Sequence, residues 1–259
     1  MRVLITNDDG INATGLSVLE RIAGHIAEEV WTVAPETDQS GIGHALTLAD
    51  PLRIREVADR RYAVNGTPAD CVICGVRTIL PDPPDLILSG INQGQNIADD
   101  VVYSGTIGGA MEGSLMGLRA IAVSQAYRWS EGKVVPWGTV ERFGPDLLRR
   151  LAGFDQPSGT FLNVNFPAVD ANEVKGVRVC HQGKVDHNLH AEERQDGRGK
   201  PYHWLRFARG EPRSAPGSDL AALSEGYVAV TPLKFDLTSH ETMEALAQQL
   251  AQTAPTPAE

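Results

Sequence analysis

Residues Arg2–Thr6 read RVLIT, and Asn7-Asp8-Asp9-Gly10 follows with no spacer. Four consecutive apolar or β-branched residues after Arg2, without alternation, describe a strand buried on both faces, the kind found in parallel sheets. The polar turn closes on a glycine, and apolar residues then recur at helical spacing over roughly Thr14–Glu28. The same strand–loop–helix unit repeats. Val30–Ala34 (VWTVA) ends at Pro35; Asp85–Ser89 (DLILS) opens into the loop GINQGQN; Ala120–Ser124 (AIAVS) follows later. Helices are predicted from Pro68 through Cys71 and Val76 to the PDPP cluster, from Ser104-Gly105-Thr106 to about Met116, and near Thr139–Leu151. Strands alternating with helices predict an α/β fold with a mostly parallel sheet and helices on both faces.

Beyond Phe161–Phe166 (FLNVNF) the character changes. From about Lys184 to Ser218 charge, glycine and proline are dense, and Tyr202, Trp204 and Phe207 alternate along one short segment. Such a stripe on a polar arm predicts a hairpin that packs against a second subunit. Tyr227–Thr231 (YVAVT) returns to strand character, a helix covers roughly Thr238–Leu250, and the tail TAPTPAE is expected to fray. The expected organisation is a catalytic core over 1–180, an extended arm and returning strand over 181–232, and a terminal helix and tail over 233–259.

Composition narrows the function. With 42% hydrophobic and 22% charged residues the chain is ordinary globular material. Its formal net charge of −10 repels duplex phosphate, so nucleic acid polymers are excluded as partners. No basic and apolar leader opens the chain, and no apolar run reaches the roughly 18 residues of a membrane span, so neither secretion nor membrane attachment is expected. Cys71, Cys74 and Cys180 cannot all pair within one chain. Cys71 and Cys74, set in ADCVICGV, read as one face of a buried helix, and a reducing cytoplasm fits.

Three predicted strand ends carry hard oxygen donors. Asp8 and Asp9 follow the first strand, Ser40 lies in the loop after the second, and Asn92 lies in the loop after DLILS. Ligands of open α/β sheets bind at the carboxyl ends of the strands. Two adjacent carboxylates there need a positive compensation, and an all-oxygen set suits Mg²⁺ or Mn²⁺ rather than zinc. Taken singly, each site has a plain turn or capping reading. Asn96 with Ser104, Gly105 and Thr106 forms a second constellation, because the amides and dipole at a helix start attract anions. Gly108, Gly109 and Gly113 in the helix that follows cost helix propensity, which predicts close backbone packing. His44 reads as a loop hydrogen bonder or a substrate contact, and Asp236 and His240 as a helix cap and a first-turn histidine.

The blocks NDDGINATG, DQSGIGHALTL, NGTPADCV, SGINQGQNIADDVVYSGTIGGAMEG and EGYVAVTPLKFDLTSH resemble the SurE (survival protein E) family of 5′/3′-nucleotidases, from the first residues to about His240. The resemblance implies a Rossmann-like core and a metal-dependent phosphatase for nucleoside 5′- and 3′-monophosphates, with short polyphosphate as a further candidate. It implies one Mg²⁺ or Mn²⁺ per subunit on Asp8, Asp9, Ser40 and Asn92. Phosphate would be held by Asn96, Ser104, Gly105 and Thr106 with His44 nearby; Asp8, Asp9, Asn96 and Thr106 would be catalytic. It also implies a homodimer or homotetramer formed by exchange of C-terminal segments. Water or an aspartate remains open as the attacking group. A nucleotide sensor without turnover and a metal-dependent glycosyltransferase are the rival classes. The four intact donors argue against the first, and DDG at the chain start rather than an internal DxD argues against the second.

Overall fold

The first strand, β1 (Arg2–Thr6), alternates its side chains between two cores. Val3 and Ile5 enter one apolar cluster and Leu4 the other, and all three are fully buried. That is the physical meaning of an unbroken apolar run: both faces are covered. The computed structural model describes residues 1–130, 132–185, 187–209 and 215–252.

In chain order the elements are α1 (Thr14–Gly24), β2 (Glu29–Pro35), β3 (Ile54–Ala58), β4 (Arg61–Val64), α2 (Pro68–Cys74), β5 (Leu86–Gln93), α3 (Gly105–Leu115) and β6 (Arg119–Gln125). Then come β7 (Arg128–Trp129), β8 (Lys133–Val134), α4 (Trp137–Ala152), β9 (Thr160–Phe166), β10 (Val177–Val179), β11 (His187–Gln195), β12 (Pro201–Arg209), α5 (Asp219–Ser224), β13 (Val228–Lys234) and α6 (His240–Gln252). Nine strands form one sheet in the order β10-β13-β9-β6-β5-β1-β2-β4-β3. All neighbours run parallel except β13 with β9 and β3 with β4, so the sheet is mostly parallel. Helices α1 and α4 cover one face and α2 and α3 the other.

The order decides where a ligand goes. From β1 the chain moves to β2 on one side, then returns to place β5 on the other. The crevice at the carboxyl ends of β1 and β5 is therefore the topological switch point.

Local chemistry explains the helix starts. Thr67 caps α2 in a reciprocal box with Asp70: the Asp70 amide donates to Thr67 Oγ1 at 3.1 Å and the Thr67 amide to Asp70 Oδ2 at 2.9 Å. Pro68, lacking an N–H, sits at the first helical position. Cys71 and Cys74 are buried free thiols, as expected of a core-facing helix, and burial pushes Cys71 well up.

Several boundaries differ from those read in the sequence. The first helix ends at Gly24 rather than near Glu28. Strand β5 runs on to Gln93 where a loop was expected after Ser89, with a register irregularity between Gly90 and Asn92. Gly90 takes φ +143°, and a Cβ there would lie 2.2 Å from the Val123 carbonyl oxygen, so only glycine allows this approach to β6. The irregularity turns Asn92 toward the crevice. The returning strand β13 is a strand of the core sheet, leaving β11 and β12 as the arm. No helix among the described residues is long and apolar enough to cross a membrane. The tail from Thr253 lies outside the described residues.

Candidate active site

At the switch point lies a cavity of ≈ 220 Å³, lined by Asp8, Ser40, Gly41, Asn92, Gln95, Asn96, Asp100, Tyr103 and Ser104. Three of the four predicted metal donors thus share one cavity, although they come from the ends of β1, β2 and β5.

Asp8 is 4% exposed, and the Thr106 hydroxyl donates to its Oδ1 at 2.5 Å. Burial pushes its carboxyl up to about 6 from the usual 3.8; the Thr106 bond opposes this and the Asp9 charge adds to it. Asp9 is less buried. Its Oδ2 accepts from the Gln93 amide at 3.3 Å, and its carboxyl is also raised, by burial first and then by Asp38. The two aspartates diverge as adjacent extended residues must, so Asp9 borders the cavity from the Gln93 side rather than lining it. Ser40 donates its hydroxyl to Asp38 Oδ1 at 2.6 Å, and its amide donates to the same oxygen at 2.7 Å. Asn92 Nδ2 donates to the Gly94 carbonyl at 2.9 Å, which leaves the carboxamide oxygen for a ligand.

The donor chemistry fits a hard divalent cation. Among the described residues no three His, Cys, Asp or Glu side chains are placed to hold a metal ion together, which argues against a soft-metal or all-carboxylate site. What gathers is a carboxylate, a hydroxyl and a carboxamide, a set that leaves coordination positions for water and substrate, as Mg²⁺ and Mn²⁺ prefer. Asp8 and Asp100 line the cavity and no Lys or Arg does. A phosphate dianion would meet negative charge on entry, and a bound cation reverses that potential.

Helix α3 points its first turn at Asp8. Ser104 caps it, with the Ile107 amide donating to Ser104 Oγ at 3.1 Å, and a Cβ on Gly105 would lie 2.8 Å from Asp8 Cβ. Glycine is required there because the helix end and the carboxylate are in contact. The close packing expected of the glycines in this helix is seen at Gly108, where a Cβ would sit 2.5 Å from the Gly43 carbonyl oxygen.

Three placements differ from expectation. Thr106 is fully buried with its hydroxyl committed to Asp8, so it positions the carboxylate instead of facing the cavity. His44 Nε2 pairs with Glu112 Oε2 at 2.8 Å on α3 and does not line the cavity. Asp236 accepts from the Thr238 amide at 2.9 Å in a turn ahead of α6 and does not cap it; the cap is Ser239, whose Oγ accepts from the Thr242 amide at 3.3 Å, and His240 opens the helix as expected.

Asn96 does line the cavity, on a buried amide network that sequence reasoning missed. Its amide donates to Asn165 Oδ1 at 2.8 Å, its Nδ2 to Ser124 Oγ at 2.9 Å, and its carbonyl accepts from Asn163 Nδ2 at 2.8 Å and Asn165 Nδ2 at 3.0 Å. The available signal was Asn163 and Asn165, two residues apart in an otherwise apolar strand. Asp219 was missed as well. Fully buried, it accepts from the amides of Ala98, Gly183 and Leu220, tying α5 to the loop that carries Asn96.

Comparison with known proteins finds relatives along nearly the whole chain. A family model described as Survival protein SurE matches residues 3–188. A 5′-nucleotidase SurE of Chelativorans sp. (strain BNC1) is 57% identical over 252 residues, covering 97% of this chain and 100% of the relative. One from Brucella anthropi is 55% identical over 251 residues, covering 96% of this chain and 97% of its own. The crystal structure of a SurE protein from Aquifex aeolicus superimposes with a TM-score of 0.82 at 37% identity, covering 96% of this chain and all of that one. With most of its length matched by the family model and by relatives above half identity, the chain belongs to the SurE family.

Proposed function

We propose that the chain is a phosphoric monoester hydrolase that converts nucleoside 5′- and 3′-monophosphates to nucleoside and phosphate with one Mg²⁺ or Mn²⁺ per subunit. One observation carries the reading: a nearly buried carboxylate, a hydroxyl and a carboxamide from three strand ends line one acidic cavity with no cationic side chain of its own. Activity on the 5′ ester follows the named activity of the relatives; the 3′ ester and short polyphosphate extend it.

A divalent ion on Asp8, Asp9, Ser40 and Asn92 would supply charge neutralisation and Lewis-acid chemistry at the phosphoryl group. The chain's own residues do the rest. Thr106 holds the Asp8 carboxylate in one orientation, and Asp38 does the same for the Ser40 hydroxyl. Asn96, fixed by Asn163 and Asn165, presents its carboxamide as a preorganised polar contact for phosphate oxygens, and Ser104 and Gly105 bring the start of α3 to the cavity.

The arm supports assembly. Trp204 is 58% and Leu205 70% exposed on the two faces of β12, and Leu246 and Leu250 are exposed on α6. Tyr202 and Trp204 share a face, their rings meeting edge to face at 6.2 Å; the Phe207 side chain lies outside the described residues. A second copy is the natural cover for so much apolar surface, giving a homodimer or homotetramer by exchange of C-terminal segments.

The test of function is phosphate release across a nucleotide panel with Mg²⁺, Mn²⁺ or chelator. Release that depends on the metal supports the proposal. Binding without turnover would favour a sensor, and consumption of a sugar nucleotide without phosphate release a transferase.

A further inference from the structure

We propose that a second cavity, lined by Gln95, Ile97, Ala126, Tyr127, Leu220 and Leu223, takes the base of the nucleotide, with Gln95 as its specificity-determining acceptor. This rests on the nucleotidase reading and extends it from the reacting phosphate to the group that decides which nucleotide is chosen.

The cavity measures ≈ 230 Å³ and shares Gln95 with the Asp8 cavity. Consecutive residues form the partition: Asn96 lines the Asp8 side and Ile97 the other. Together the two spaces reach the range of roughly 300–1,000 Å³ usual for small-molecule sites. Their chemistry is divided as a nucleotide's is. The first is acidic and polar, whereas the second has no charged side chain in its lining and offers aliphatic groups around one aromatic ring. Tyr127 is held by the Lys133 ammonium 4.4 Å from its ring centroid and by the edge of Trp129 at 6.0 Å. A flat, neutral heteroaromatic ring suits such walls.

Gln95 Oε1 is buried and has no hydrogen-bond partner among the described residues. A buried acceptor left unmet is costly, and Gln95 lines both cavities, so a turn of its carboxamide toward the base would meet it with a donor from outside the chain. The exocyclic amines and ring N–H groups of bases are such donors. The α5 wall is fixed to the same loop: Asp219 at the start of α5 accepts from the Ala98 amide at 2.9 Å, and Gln182 Nε2 donates to the Ala98 carbonyl at 2.9 Å. Leu220 and Leu223 are thereby held at a set distance from Gln95, which is what a subsite needs to discriminate.

Steady-state kinetics with three esters test this: AMP, ribose 5-phosphate, which lacks the base, and purine riboside 5′-monophosphate, whose base lacks the donor. The wild type is expected to have a KM for AMP at least about tenfold below that for ribose 5-phosphate, and to prefer AMP over the purine riboside ester by about three- to tenfold. Leu223→Trp, or Ala168→Leu at the same cavity, should raise the AMP KM about tenfold or more while ribose 5-phosphate kcat/KM stays within about twofold. Gln95→Leu should remove the preference between AMP and the purine riboside ester. Equal wild-type kcat/KM for AMP and ribose 5-phosphate overturns the subsite. So does an unchanged AMP KM in both folded filling variants, or an equal loss on both esters. Release of phosphate from none of the three by the wild type overturns the nucleotidase reading itself.

Discussion

Replacing Asp8 with asparagine changes one buried atom type, and its effect on stability can be worked from the structure. In the metal-free protein the Asp8 carboxyl titrates near 6 instead of the usual 3.8, because burial at 4% exposure penalises its ionised form. The folded state therefore keeps a proton that the unfolded chain releases, and stability falls as pH rises from about 4 to about 6. Below that window the penalty is absent; above it the penalty is complete. At 1.36 kcal/mol per pH unit the full cost is about 3 kcal/mol. The asparagine side chain carries no charge and still offers an oxygen to the Thr106 hydroxyl, so Asp8→Asn should recover most of it. Unfolding entropy of roughly 2.1 cal/mol/K per residue over this length converts 3 kcal/mol to about 6 °C. Calorimetry in chelator should show Asp8→Asn melting about 6 °C above wild type at pH 8, the gap narrowing to about 2 °C at pH 4.5. Saturating Mn²⁺ should reverse the order, since only the wild type gains binding energy. A gap independent of pH, or a variant that melts lower in chelator at pH 8, would refute the reasoning.

Asp219→Ala leaves three backbone amides without their acceptor and should cost on the order of 3–5 kcal/mol in urea unfolding, with a rise in KM as the Asn96 loop loosens. Gly105→Ala places a Cβ against Asp8 and should lower kcat about a hundredfold or more with a smaller change in melting temperature, measured by phosphate release beside calorimetry. The double variant Trp204→Glu with Leu205→Glu should shift the protein to monomer in light scattering; an unchanged mass would remove the arm from the interface.

The parallel core was legible because a strand buried on both faces has to be an unbroken apolar run, and β1, β2, β5 and β6 all carry one. The edge strand β3 and its neighbour β4 escaped notice since IREVA and RYAV are short, partly exposed and carry charges, so no long apolar run marks them. The donors Asp8, Ser40 and Asn92 were readable by another route: each follows a strand, and the sheet order brings those three strand ends together. What sequence could not assign was which polar group serves which partner. Thr106 reads equally well as a phosphate contact and as a clamp on Asp8, because spacing along the helix fixes its position but not the partner across 98 residues. The brace from Asp219 to Ala98 spans 121 residues and leaves no local trace at all.

The central claim is that the ends of β1, β2 and β5 hold a single divalent ion. Titration calorimetry with Mn²⁺ on the wild type and on Asp8→Asn, Ser40→Ala and Asn92→Ala tests it most directly. One ion per chain is expected, with affinity abolished by Asp8→Asn and weakened by about ten- to a hundredfold in the other two. Wild-type binding retained in Asp8→Asn and Asn92→Ala would place the ion elsewhere and contradict the account.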